Sequence, residues 1–168
     1  GHMPALFCHN ARMARSTLLS IVESAAHPNF SGTFRQLGLV ETRLNSMRKA
    51  IATLKNQSFD YIIAEFFYGY GNNYAGVNIS NLDVMLYSLQ KYSPDTRVIV
   101  LVDKTEREYV DKLKGLLEDE NDNVRKNSLA TLQMIALRDD ASPKLVKLVE
   151  QRLRALAKGD DSRKASWA

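Results

Sequence analysis

Cys8 and His9 are adjacent, and a thiol beside an imidazole is the first place to look for nucleophilic chemistry. Such a couple needs the two side chains in contact and the thiolate favoured. Neighbours in an extended segment point to opposite faces, so this spacing argues against a dyad, and Cys8 reads as a small core residue. A second chemical group is Glu65, which closes the run Phe59-Asp60-Tyr61-Ile62-Ile63-Ala64. A carboxylate at the end of a buried strand is placed to meet a cation across a site. The third feature is a loop with Phe66, Phe67, Tyr68, Tyr70 and Tyr74 among Gly69, Gly71 and Gly76. Glycines permit close backbone approach and tyrosines offer rigid amphipathic contacts. The loop suits a protein contact or a cover over apolar surface better than a platform for stacked bases. No Gly-x-x-x-x-Gly-Lys-Ser/Thr segment occurs, so it is not a phosphate cradle of that kind.

Composition narrows the chemistry further. The chain has 168 residues, enough for one domain, and 45% of them are apolar, enough for a core. One cysteine excludes an internal disulfide and an all-cysteine metal site. His2, His9 and His27 have no ligand-like spacing, so no metal and no cofactor is expected. The formal net charge of +4, from 23 basic and 19 acidic residues, permits an anionic partner without requiring nucleic acid. No apolar run approaches the roughly 18–20 residues that cross a membrane, and no signal segment opens the chain. The expectation is a cytoplasmic protein. Residues 1–3 read as a vector scar or start, 4–158 as the domain, and 159–168 as a flexible tail or linker.

These groups must be carried by regular elements. Ala5 to Cys8 reads as a first strand, followed by a helix with Met13, Leu18, Ile21, Val22 and Ala25 near one face. Phe34 to Val40 reads as a second strand interrupted by Gly38, and Leu44, Met47, Ile51 and Leu54 mark an amphipathic helix. Phe59 to Glu65 and Arg97 to Val102 are the clearest strands, separated by a helix with Leu82, Met85, Leu86 and Leu89 inward. Thr105 and Glu108 have capping-box spacing ahead of Val110, Leu113, Leu116 and Leu117. Residues 118–130 are open between a loop and an extra helix. Leu132 to Leu137 reads as a last strand. Ser142-Pro143 opens a final helix with Leu145, Val149, Leu153 and Leu156 along one face. Strand and helix alternate five times, which predicts a doubly wound α/β domain with a parallel five-stranded sheet.

In this arrangement the chain resembles the receiver domain of two-component response regulators over roughly residues 4–157. Phe59 to Glu65 is similar to the third receiver strand. Asn81 to Val102 is similar to the third helix and fourth strand. Leu6 to Leu18 is similar to the first strand and its helix. The resemblance implies a flavodoxin-like sheet with strand order 2-1-3-4-5. It also implies a pocket built from an acidic pair, a phosphoacceptor aspartate, a hydroxyl and a lysine. This sequence departs at each position. His9 and Asn10 stand at the acidic pair, Glu65 at the phosphoacceptor, Val102 or Asp103 at the hydroxyl, and Arg138 or Asp139 near the lysine. The proline that follows the lysine in the family is missing. An exposed pair of Glu65 with Arg138 would contribute only about 0–1 kcal/mol.

The resemblance therefore implies a pseudo-receiver: no enzyme, no phosphotransfer, and output by protein–protein contact. It also implies that the chain can be the first piece of a longer regulator. The fourth and fifth helices are the family's usual output and dimer surface. That makes Val110, Leu113, Leu117, Lys144, Lys147, Leu148 and Arg152 the candidate interface, including a homodimer. Two other classes remain in view. One is a flavodoxin-like domain holding a small ligand with His9, Asn10 and Glu65. The other is a nucleic-acid module using the aromatic loop and the basic last helix, although direct nucleic-acid binding is not the expectation.

Overall fold

The computed structural model describes residues 16–25, 27–69, 80–111 and 143–158, together with the backbone of 132–137. Four strands form a parallel sheet: β1 (Thr17–Ile21), β2 (Val40–Leu44), β3 (Tyr61–Glu65) and β4 (Arg97–Asp103), paired in the order β2-β1-β3-β4. A further strand, β5 (Leu132–Leu137), runs parallel beside β4. Among the described residues the helices are α1 (Ser31–Gln36), α2 (Met47–Leu54), α3 (Asp83–Tyr92), α4, of which residues 107–111 are described, and α5 (Pro143–Ala157). Among the described residues no helix is long and apolar enough to cross a membrane.

The first described strand falls on residues that the sequence pattern puts in a helix. Thr17–Ile21 was expected inside a helix, yet it is a strand buried between β2 and β3. This short, largely apolar run has no clear alternation, so periodicity does not separate a buried strand from a buried helix. Here two parallel neighbours supply all the ladder partners, and Leu18, Leu19 and Ile21 are fully enclosed. The expected strand Ala5 to Cys8 lies outside the described residues.

The second correction concerns Phe34 to Val40. Phe34 sits in α1, and β2 starts only at Val40. Between them Gly38 takes φ 77°, which a side chain resists. Its N–H donates to the Arg35 carbonyl at 3.0 Å, and the Leu39 N–H donates to the Phe34 carbonyl at 2.9 Å. This is a Schellman stop, with Phe34 and Leu39 buried in one cluster. The glycine that looked like a strand defect is a helix terminator.

Alternation along the strands divides the core in two. Leu19, Ile21, Ile62, Ala64, Val98, Val100 and Val102 face α2, α3 and Val110. Leu18, Tyr61, Ile63, Ile99 and Leu101 face Phe34 of α1 and the Leu145, Val149, Leu153 and Leu156 stripe of α5. Each fully buried Leu or Phe of this set contributes about 1.5–3 kcal/mol. Ser46 caps α2, accepting from the Lys49 N–H at 3.1 Å. The cap after β4 is Asp103 and not the Thr105–Glu108 box. Asp103 Oδ1 accepts from the Thr105 N–H and hydroxyl, both at 2.8 Å, and opens a short 3-10 turn at Lys104–Glu106.

Candidate functional site at the carboxyl end of the sheet

Parallel α/β sheets bind and react at the carboxyl ends of their strands, where connecting loops bring polar groups together. β1 leads into Val22, Glu23 and Ser24 there. Glu23 and Ser24 thus stand where the receiver resemblance assigned His9 and Asn10. Those two residues lie outside the described structure, and the assignment took Thr17–Ile21 for part of a helix. One carboxylate, Glu23, therefore stands after β1 where none was expected.

Glu65 ends β3 and shares the parity of Tyr61 and Ile63, so it turns toward the loop after β1. It is 2% exposed. The Ser24 N–H donates to its Oε1 at 3.2 Å, and the Ser24 hydroxyl donates to its Oε2 at 2.6 Å. Burying a carboxylate is costly unless each oxygen finds a donor, and one serine supplies both. The Glu65 main-chain carbonyl accepts from Asn81 Nδ2 at 2.8 Å. The same amide nitrogen donates to Glu23 Oε1 at 3.0 Å, and Asn81 Oδ1 accepts from the Phe67 N–H at 2.8 Å. Asn81 thereby ties the loops after β1 and β3 to the start of α3. Nearby, Asp83 Oδ1 accepts from the Ser80 N–H at 2.9 Å and hydroxyl at 2.7 Å, which fixes that helix start.

The remaining candidates divide. Val102 is fully buried on the α2–α3 side and offers no polar group, while Asp103 is committed to its cap. Phe66 is a core residue at 2% exposure, so it is not part of a binding lip. Tyr68 is 44% exposed and stacks on Tyr109, with ring centroids 3.7 Å apart and planes 10° from parallel. Its N–H donates to Glu106 Oε2 at 3.4 Å. Burial raises the Glu106 carboxyl above its ordinary value, offset in part by that N–H. The Glu108 charge raises the Tyr109 phenol, with burial second. Phe67 is half-buried at the Asn81 contact. Tyr70, Tyr74 and Arg138 lie outside the described residues.

On the expected interface, Val110 is enclosed at 1% and belongs to the core, because the helix after β4 lays it against Val102's layer. Leu148 is partly buried against the α5 cluster, Lys144 and Lys147 are exposed, and Arg152 is intermediate. Leu113 and Leu117 lie outside the described residues. Among the described residues no three His, Cys, Asp or Glu side chains converge on a metal position.

Sequence reading missed Glu23, Ser24 and Asn81. A signal for the first two exists: Thr17 to Val22 is a run of apolar and β-branched residues broken only by Ser20 and followed by Glu-Ser, a strand followed by polar groups. Asn81 carries no local signal, since its three partners belong to other loops.

No family model matches this chain, and no curated protein does. Solved structures are similar to it. One is the yeast Spc42 trimeric coiled coil, amino acids 181–211, fused to another structure, with a TM-score of 0.55 at 16% identity, covering 86% of this chain and 83% of that one. A response regulator receiver protein from Sinorhizobium medicae WSM419 has a TM-score of 0.49 at 15% identity, covering 88% and 95%. The adenylate cyclase from Rhodopirellula baltica has a TM-score of 0.48 at 12% identity, covering 87% and 94%. The similarity to the first is one of fold. The class that the coordinates themselves define is an α/β domain whose parallel sheet alternates with helices.

Proposed function

We propose that this chain is a receiver-type signalling module, of the response-regulator kind, that no longer takes a phosphoryl group and acts by binding a protein partner. On this reading the sheet is the five-stranded receiver sheet in the order 2-1-3-4-5. The observation that carries the reading is the state of Glu65. It ends β3, where the receiver reading puts the phosphoacceptor, it is enclosed, and both its oxygens accept bonds from Ser24. A nucleophile must present an accessible oxygen in line with the phosphorus, and both oxygens of this carboxylate are enclosed and held by Ser24.

Glu23 supplies one carboxylate at the acidic-pair position, yet its Oε1 already accepts from Asn81. A divalent cation that wants several oxygen ligands gains little there. The Tyr68–Tyr109 stack favours a protein contact over base stacking, because one face of each ring is already covered. The test is incubation of the chain with a small-molecule phosphodonor and Mg²⁺, read by intact mass. The expected result is no added phosphate. Stoichiometric phosphorylation would overturn the reading.

A further inference from the structure

The outer edge of the sheet carries a pattern that the functional reading does not use. Among the described residues, β2 pairs only with β1. In a parallel ladder, the N–H and C=O of a given residue point to the same edge, and successive residues alternate. The Val40 N–H donates inward to the Ser16 carbonyl at 2.9 Å, and the Leu44 carbonyl accepts from the Val22 N–H at 2.8 Å. Val40, Thr42 and Leu44 therefore spend their backbone groups on β1. Glu41 and Arg43 turn theirs outward, where nothing among the described residues pairs with them. Those are the two oppositely charged residues of the strand.

We propose that this edge is a homodimer interface, in which a second copy of the chain adds its own β2 antiparallel about a twofold axis at Thr42. The register follows from the outward groups alone. Glu41 lies opposite Arg43 of the second copy, and Arg43 lies opposite its Glu41. Each such pair exchanges both N–H···O=C bonds. Thr42 meets Thr42 at the central position without backbone bonds. On the α1 side, each cross-strand pair joins opposite charges, the arrangement that stabilises neighbouring strands.

Glu41 is already oriented for this. Its Oε2 accepts from the Ser20 hydroxyl at 2.6 Å and its Oε1 from the Ser31 hydroxyl at 2.8 Å, so the carboxylate is held on that face. Arg43 shares the face by alternation and is exposed. On the opposite face, Val40 is 57% exposed, and Leu44 of the second copy lies across from it. Exposed edge strands are ordinarily blunted by charged side chains or proline, but the two charges here are opposite in sign and so self-complementary about a twofold axis. A twofold contact of this kind is closed, so it stops at two copies.

The interface is short, and dissociation constants on the order of 10–100 µM are expected. Sedimentation velocity of the whole chain across that range reads it. Arg43→Glu places like charges opposite each other and weakens association at least about tenfold, with the circular-dichroism spectrum and melting curve unchanged. Arg43→Glu mixed with Glu41→Lys restores opposite charges at both positions, so a heterodimer forms although neither variant pairs with itself. If Glu41→Lys does not fold, amide exchange of the wild type answers the same question. The amides of Glu41 and Arg43 gain protection with rising concentration, and that of Thr42 does not change. A wild-type chain that stays monomeric to about 1 mM, or an Arg43→Glu variant that dimerises as well as wild type, overturns the proposal.

Discussion

Ser24→Ala tests the site most directly, because one hydroxyl supplies the shortest bond to a buried carboxylate. The serine donates to Glu65 at 2.6 Å through its side chain and at 3.2 Å through its backbone. Alanine keeps the backbone bond and deletes the other. A hydrogen bond to a charged group contributes about 1.5–3 kcal/mol, and the remaining Oε2 is left enclosed with no replacement in a residue that is 2% exposed. A loss of about 2 kcal/mol at neutral pH is expected, a fall in Tm of roughly 4–8 °C for a domain of this size. Urea denaturation of both proteins at neutral pH measures this. A gap below about 0.5 kcal/mol would refute the reasoning.

Two further perturbations follow from local geometry. Gly38→Ala forces a side chain into the left-handed region at φ 77° and should cost about 1–2 kcal/mol in urea denaturation, by weakening the stop between α1 and β2. Glu106→Gln bears on pH. The Glu106 carboxyl is raised above its ordinary 4.5 by burial, so between that value and its folded value the folded chain holds a proton that the unfolded chain releases. Wild-type stability accordingly falls as pH rises through that window. The Gln variant lacks this slope and gains on the wild type as pH rises from 4.5, which parallel melts across mildly acidic pH would show.

Much of the layer structure is written in local pattern. Val98-Ile99-Val100-Leu101 is bounded by turn signals, and Leu145, Val149, Leu153 and Leu156 recur at helical spacing, so β4 and α5 fall where the residues predict. Glu65 is likewise placed at a strand end by sequence alone. Alternation of strand and helix determines an α/β class, because each amphipathic element needs a partner layer.

Tertiary structure decided the rest. Thr17 to Val22 is largely apolar without a period that favours a strand, and the ladders to β2 and β3 make it one. With β1 at Thr17–Ile21, the polar residues that follow it at the end of the sheet are Glu23 and Ser24. The partners of Glu65 and Asn81 are also invisible locally: Ser24 lies 41 residues before Glu65, and Glu23 lies 58 before Asn81. Val110 shows the same limit, since apolar spacing marks a buried stripe and an exposed contact stripe alike, and packing alone put it in the core. Sequence period reports which face an element buries. Which loops meet at the end of the sheet depends on strand order, and no local spacing encodes it.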